Sequence, residues 1–387
     1  MKLRILALLI VIFMLCGCQK NAPIPEPSTQ TKTDNTVTET PTQEEDQEES
    51  AEEVDPLMET VAAMSDEELV GQLFLARYPG KEQAISDITN RHIGGYVLFG
   101  SDLEYQTPTG IAEEIKQLQD TSNIPLLIAV DEEGGSVTRV STYSQYRASR
   151  FPSPRKLYDE GGLELVLTTE QEKCELLLSL GINVNLAPVC DVTTDSTAFM
   201  YSRSLGQSPE VTGEYIGAVV KLMDQAGLGG VLKHFPGYGN NDDTHIGTAL
   251  DSRSLEVLEA NDLLPFQAGI NAECDAIMVS HTTIGCLDET LPGSLSPTVI
   301  SYLRQEMGFD GVIMTDDLAM GAITDVYGTG EASVMAVLAG NDMLCCSEYV
   351  TQYDAVLQAL KDGRITREQL EKSVYRILNW KQDLDLI

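Results

Sequence analysis

Residues Asp310–Leu318 read DGVIMTDDL. The run Val312-Ile313-Met314 is apolar without alternation, and just beyond it stand two adjacent carboxylates, Asp316 and Asp317. A strand with one wet face alternates. A short, continuous apolar run bounded by polar residues is a strand covered on both faces, as in a parallel sheet. Other runs share this form: QLFLARYPG (Gln72–Gly80), IGGYVLFG (Ile93–Gly100), IPLLIAVDEEGG (Ile124–Gly135), INVNLAPVCDV (Ile182–Val192), LGGVLKHFPG (Leu228–Gly237), DAIMVSHTTI (Asp275–Ile284) and GNDMLCCS (Gly340–Ser347). Between them lie helical patterns such as GIAEEIKQLQDTS, LEVLEANDLLPFQAGI, SPTVISYLRQEMG and YDAVLQALKDG, and Ser65-Asp66-Glu67-Glu68 forms a capping box ahead of an apolar series. Strands alternating with helices in this way over residues 55–387 fit one α/β catalytic domain, a (β/α)8 TIM-type barrel. The alternative, an open doubly wound sheet, lacks the Gly-rich dinucleotide or phosphate fingerprint that usually accompanies it.

The ionisable residues sit at one end of these runs: Asp131, Asp191, His234, His281 and Asp316 all follow their apolar residues. In a parallel barrel those ends meet on one rim, where active sites are built, so the pattern points to an enzyme. Of the doubled aspartate, one residue can cap a helix beginning near Leu318 while the other faces the cleft. The stretch Lys233–His245, KHFPGYGNNDDTH, holds two of the four histidines. Lys233 at a strand end needs a carboxylate partner, either Asp316 or Asp131. In Asp243-Thr244-His245 the first and third side chains of an extended segment face the same way. The carboxylate can then accept an imidazole N–H and aim the other nitrogen at a substrate. Asp131 and Arg139 flank a double glycine and can grip sugar hydroxyls. Arg203, in YSRSLG, is a rim residue or a surface arginine. Asp243, His245, His281 and Asp316 could also serve a metal hydrolase. However, the His-x-His of barrel amidohydrolases is missing from every strand end, so neither a metal nor a cofactor is expected.

The chain begins MKLRILALLIVIFMLCGCQK. A basic start, an apolar run too short for a span of roughly 20 residues and a small-residue ending describe an export signal over residues 1–18. Leu-x-Gly-Cys resembles a bacterial lipobox, with Cys18 as the lipidated residue; an ordinary signal peptide is the alternative. Residues 19–54, rich in Pro, Thr, Gln and Glu and free of aromatics, cannot bury enough apolar surface to order themselves and are expected to be a disordered tether. The expected location is extracytoplasmic, held to the cell membrane by the lipid anchor alone. A formal charge of -35 excludes nucleic acid as a partner. Of eight cysteines, Cys16 and Cys18 fall in the signal; the other six, with no C-x-x-C pair, read as buried free thiols rather than a disulfide framework or zinc site.

VDEEGGSVTR, NLAPVCDV, SRSLG, KHFPGYG…DTH, MVSHT, LPGSLSP and GVIMTDDLAMGA, in this order, resemble the barrel domain of glycoside hydrolase family 3, and most closely its bacterial β-N-acetylglucosaminidase branch. The resemblance implies a retaining double displacement on a small saccharide by a monomer. Asp316 takes the place of the nucleophile, and His245, oriented by Asp243, that of the general acid/base. Asp131, Arg139, Arg203, Lys233 and His234 take the places of sugar-binding residues. A histidine repels an anionic acceptor less than a glutamate does, so both water and phosphate stand open as acceptors, as do glucose and xylose as sugars and a purely sugar-binding role. Two positions depart from the pattern. Tyr238 stands where a second histidine is usual, in a loop one residue shorter, and Ser136 replaces an arginine after the double glycine.

Overall fold

The computed structural model describes residues 55–239 and 249–387. Each of the strand runs read from the sequence contributes a strand: β1 Phe74–Arg77, β2 Gly95–Leu98, β3 Leu127–Val130, β4 Val184–Asn185, β5 Gly229–Phe235, β6 Ala276–Val279, β7 Val312–Thr315 and β8 Leu344–Cys346. They form one 8-stranded parallel sheet in the order β8-β1-β2-β3-β4-β5-β6-β7. A parallel bridge between Met314 and Met343 brings its two ends together, so the sheet is a nearly closed barrel. Every residue of β2, β3, β5, β6 and β7 is buried, which is why these segments are largely apolar instead of alternating, with polar residues only at their C-terminal ends. Helices cover the outside, and the helix Asp66–Gln72 ahead of β1 starts from Ser65, whose capping box with Glu68 is present as its sequence implies.

Two helical readings need correction. The pattern expected as one helix over 255–270 is two, Leu255–Ala260 and Leu263–Ile270, because Asn261 leaves the helical region and Asp262 turns inward. The helix from Pro297 runs only to Ser301 before widening into a π-helical turn over Tyr302–Glu306. The cysteines of the described residues are free, and four of them are buried as expected. Cys286 is exposed instead, on the loop after the short strand Thr283–Ile284, and Cys345 is only partly covered.

The seam between β7 and β8 carries few ladder bonds, and a buried side chain completes it. The Asp342 N–H donates to the Ile313 carbonyl at 2.8 Å, and the Asp342 carboxylate accepts the Ile313 N–H at 2.9 Å. The same carboxylate pairs with Arg304 and, at 3.2 Å, with Arg376. Asp342→Ala should therefore lower the unfolding free energy by about 3–5 kcal/mol, since it strands two guanidinium groups and an amide together. Urea denaturation checks this.

Candidate active site

The C-terminal ends of the strands surround a cavity of about 410 Å³. Its wall combines apolar side chains (Val97, Phe99, Val137, Leu186, Met278, Met320) with Arg77, Asp131, Arg139, Arg203, Lys233, His234, Asp316 and Asp317. An apolar enclosure with a few convergent polar groups is the usual form of a small-molecule site.

Strand β5 supplies two adjacent polar residues to this cavity, which a regular strand cannot do, because neighbouring side chains alternate between faces. Its pairing with β6 runs Val231 with Ala276 and Leu232 with Ile277, then shifts before Phe235 meets Val279. Lys233 and His234 thus share the space opposite Met278, and the extra residue cancels the alternation.

Lys233 is only 2 % exposed. Its Nζ lies 2.6 Å from Asp131 Oδ1 and 2.7 Å from Glu133 Oε1. Glu133 in turn accepts a two-pronged contact from Arg203, 3.0 Å from Nε and 2.7 Å from Nη2. Burial opposes the charge on Lys233, but Asp131 and Glu133 outweigh it and hold the ammonium above its ordinary range. Burial likewise opposes ionisation of Glu133, yet Lys233 and Arg203 hold its carboxyl well below the usual carboxylate range. Of the two partners the sequence left open for Lys233, Asp131 is the one in contact, and Glu133 joins it. Arg203 is thereby part of the site, and the surface alternative falls away.

Arg203 Nη2 also lies 3.1 Å from His234 Nε2, while His234 Nδ1 lies 2.8 Å from Asp191 Oδ2. A guanidinium can only donate, so Nε2 accepts and Nδ1 carries the proton toward Asp191. The ring is fixed as a neutral tautomer by its two partners. Asp191 also accepts the backbone N–H of His234 and of Tyr238. Arg139 reaches the second oxygen of Asp131 at 3.7 Å, an ion pair rather than a hydrogen bond.

The doubled aspartate divides as its chemistry allows. Asp317 accepts from the N–H of Ala319 and of Ser347 and from the Ser347 hydroxyl, so it ties β7 to β8 and closes the turn. The helix it was expected to cap begins later, at Gly321. Asp316, half-buried on the cavity wall, has Oδ1 held by the Asp317 N–H at 2.8 Å. Burial opposes its ionisation, but His281, that N–H and Lys233 prevail, and the carboxyl sits below its ordinary value of 3.8. His281 is not part of the wall. It braces the turn through Ser294 Oγ at 2.7 Å and the Asp317 carbonyl at 2.9 Å. Asp243 and His245 lie outside the described residues; the chain is described up to Gly239 and again from Ala249.

Two residues of the site, Glu133 and Arg77, were not singled out as candidates from the sequence, and Asp191 was placed on the rim without a role. The position of Glu133 two residues beyond Asp131 was the available signal. Arg77, at the end of β1, lies over Phe99 with 4.4 Å from its guanidinium carbon to the ring centre and pairs with Asp102 at 2.6 Å.

Residues 65–380 match the glycosyl hydrolase family 3 N-terminal domain. The chain belongs to glycoside hydrolase family 3. Among relatives, the β-hexosaminidase LpqI of Mycobacterium tuberculosis is 32% identical over 332 residues, covering 83% of this chain and 84% of its own. A β-hexosaminidase of Xylella fastidiosa is 34% identical over 251 residues, 64% of this chain and 73% of its own. Of solved structures, a family 3 β-N-acetylglucosaminidase from Paenibacillus sp. str. FPU-7 superposes with a TM-score of 0.78 at 34% identity. That match covers 84% of this chain but 63% of the Paenibacillus protein, so the present chain spans less than two thirds of that longer one. The structure of M. tuberculosis LpqI gives a TM-score of 0.77 at 29% identity, with 84% of this chain and 96% of that one covered.

Within this family 3 barrel the two departures fall in different places. Tyr238 is buried, edge-on to the His234 ring at 5.3 Å and tilted against Phe199 at 5.6 Å. Ser136 is exposed on the turn between Gly134 and Val137 and does not line the cavity.

Glu133 is the carboxylate on which both buried cations converge. Glu133→Ala should cost about 3–5 kcal/mol of stability at pH 7, the usual consequence of breaking a buried pair. Because its folded pKa lies below the ordinary 4.5, the Glu133 contribution is complete above that value and vanishes only as pH falls through the folded pKa. The gap between wild type and variant should hold from pH 7 to about 5 and narrow only below that. Urea titrations across this range measure it.

Proposed function

We propose that the chain is a retaining exo-β-N-acetylglucosaminidase, a β-N-acetylhexosaminidase that removes terminal GlcNAc from peptidoglycan- or chitin-type fragments. The observation that carries this reading is an aspartate, Asp316, standing on the wall of a cavity with one oxygen held by a backbone N–H, above a floor of interlocked hydrogen-bonding charges. A retaining glycosidase needs that anion to trap an oxocarbenium-like transition state.

In this reading Asp316 is the nucleophile. With Oδ1 held by the Asp317 N–H, Oδ2 attacks the anomeric carbon while the His245 imidazolium gives its proton to the departing glycosidic oxygen. The products of this step are a glycosyl-aspartate ester and a neutral imidazole. That imidazole then takes a proton from the incoming water, whose oxygen displaces the carboxylate and restores both groups. Asp243 orients His245 for both half-reactions. Asp131, Arg139, Arg203, Lys233 and His234 bind the sugar. Their side chains are already committed to one another, so they present hydroxyl partners in fixed positions at little reorganisation cost.

Similarity to the Paenibacillus β-N-acetylglucosaminidase supports N-acetylglucosamine as the sugar, and similarity to LpqI, a β-hexosaminidase, agrees with it. The signal-like residues 1–18 and the Cys18 lipobox support an exported, lipid-anchored protein, with 19–54 as its tether. Replacing Cys18 by Ala should move the expressed protein from the membrane to the soluble fraction after cell breakage.

Hydrolysis of the para-nitrophenyl β-glycosides tests the assignment. Activity on N-acetylglucosaminide should exceed that on glucoside and xyloside, and Asp316→Ala and His245→Ala should each lower kcat/KM by about 10²–10⁴-fold or more. Activity preserved in Asp316→Ala would end this reading.

A further inference from the structure

Among the described residues, the Arg253 guanidinium is shared between two carboxylates, Asp251 and Asp262. Its Nε lies 3.0 Å from each Asp251 oxygen, and Nη2 lies 2.6 Å from Asp251 Oδ2. On its other edge, Nη1 reaches Asp262 Oδ2 at 2.6 Å and Nη2 reaches Asp262 Oδ1 at 3.2 Å. Both carboxylates are 2 % exposed. Asp251 ends the short strand Leu250–Asp251, which pairs in parallel with Thr283–Ile284 just past His281. Asp262 precedes the helix Leu263–Ile270, whose Phe266 packs edge-on against Phe235 of β5 at 5.2 Å.

The glycine turn after β5 closes against the same groups. A Cβ on Gly237 would come within 2.7 Å of Asp262 Oδ1, and one on Gly239 within 2.5 Å of Arg253 Nη2. Both glycines have positive φ, +114° and +55°, so close approach and backbone conformation each call for glycine here. One guanidinium therefore touches the last described turn before residues 240–248 and grips the strand just after them. Through Asp262 it fixes both to the helix behind β5.

We propose that Arg253 is a positioning residue for the reaction: packed against the Gly237–Gly239 turn and paired with Asp251 and Asp262, it fixes the two described positions, Gly239 and Asp251, between which Asp243 and His245 fall in the chain. The inference rests on the acid/base role given to His245 under Proposed function. Lysine cannot take the place of Arg253, because a single ammonium lacks the planar fork that spans two carboxylates.

The test separates proton donation from general damage by leaving-group dependence. For Arg253→Met and Arg253→Lys, kcat/KM is measured on the dinitrophenyl and the para-methoxyphenyl β-N-acetylglucosaminides. The first leaving group departs without a proton and the second requires one. A displaced proton donor lowers kcat/KM for the methoxyphenyl substrate by about 10–10²-fold, part of the range general acids supply, and for the dinitrophenyl substrate by less than about 3-fold. Equal losses on both substrates, or no loss on either, overturn the proposal. Asp262→Asn keeps the shape of the cluster and should show the same split in smaller degree; it decides the question if the Arg253 variants do not fold. His245→Ala serves as the reference. If it shows no split, the acid/base assignment itself fails; if it shows one and the Arg253 and Asp262 variants do not, only the positioning role is lost.

Discussion

A lysine ammonium withdrawn from water at the end of a barrel strand is the constraint on which this site depends. An isolated charge there would be driven to neutrality or out to solvent. Lys233 stays charged because Asp131 and Glu133 lie 2.6 and 2.7 Å away. Those carboxylates in turn recruit Arg203 and Arg139, and Arg203 fixes the ring of His234. Each group limits the rotamers of the next, so the cavity floor is a rigid array rather than a set of independent side chains. Such an array is weak evidence for stability, since replacing buried ions with apolar residues is often neutral or better. In the proposed function its value is in binding, where hydroxyls of a sugar would meet donors and acceptors already in place.

The same economy of positions governs the catalytic wall. Two successive aspartates end β7, and the backbone assigns them different tasks. Asp317 is consumed by the turn and by Ser347, while Asp316 receives one amide and faces the cavity. His281 contributes from behind: it braces the Asp317 carbonyl and favours the charged form of Asp316. Removing water around a carboxylate usually raises its pKa; here oriented neighbours reverse that tendency, which suits the nucleophile role proposed for Asp316.

The barrel was legible in the sequence because burial on both faces leaves an unbroken apolar run, and the strand-end rule then placed Asp131, Lys233, His234 and Asp316 on one rim. What escaped depended on contacts between residues far apart in the chain. Glu132 and Glu133 look alike as neighbours in DEEGG, yet Glu132 folds back to accept the amides of Arg139 and Val140 while Glu133 turns to Lys233 and Arg203. No local pattern distinguishes them. The helix break at Asn261 was hidden for the same reason, since the apolar period continues across it and only the pairing of Asp262 with Arg253 makes an inward turn favourable. The bulge in β5 likewise had no signature beyond two adjacent polar residues where alternation allows one.

The central claim is that Asp316 becomes covalently joined to the sugar. Incubation with a 5-fluoro N-acetylglucosaminyl fluoride, which slows breakdown of a glycosyl ester more than its formation, followed by proteolysis and mass spectrometry, addresses it directly. The account predicts one added sugar mass, located on Asp316 in the peptide around GVIMTDDL. A label on another carboxylate would contradict it, and so would turnover with no adduct, the sign that the substrate's own acetamide had attacked instead.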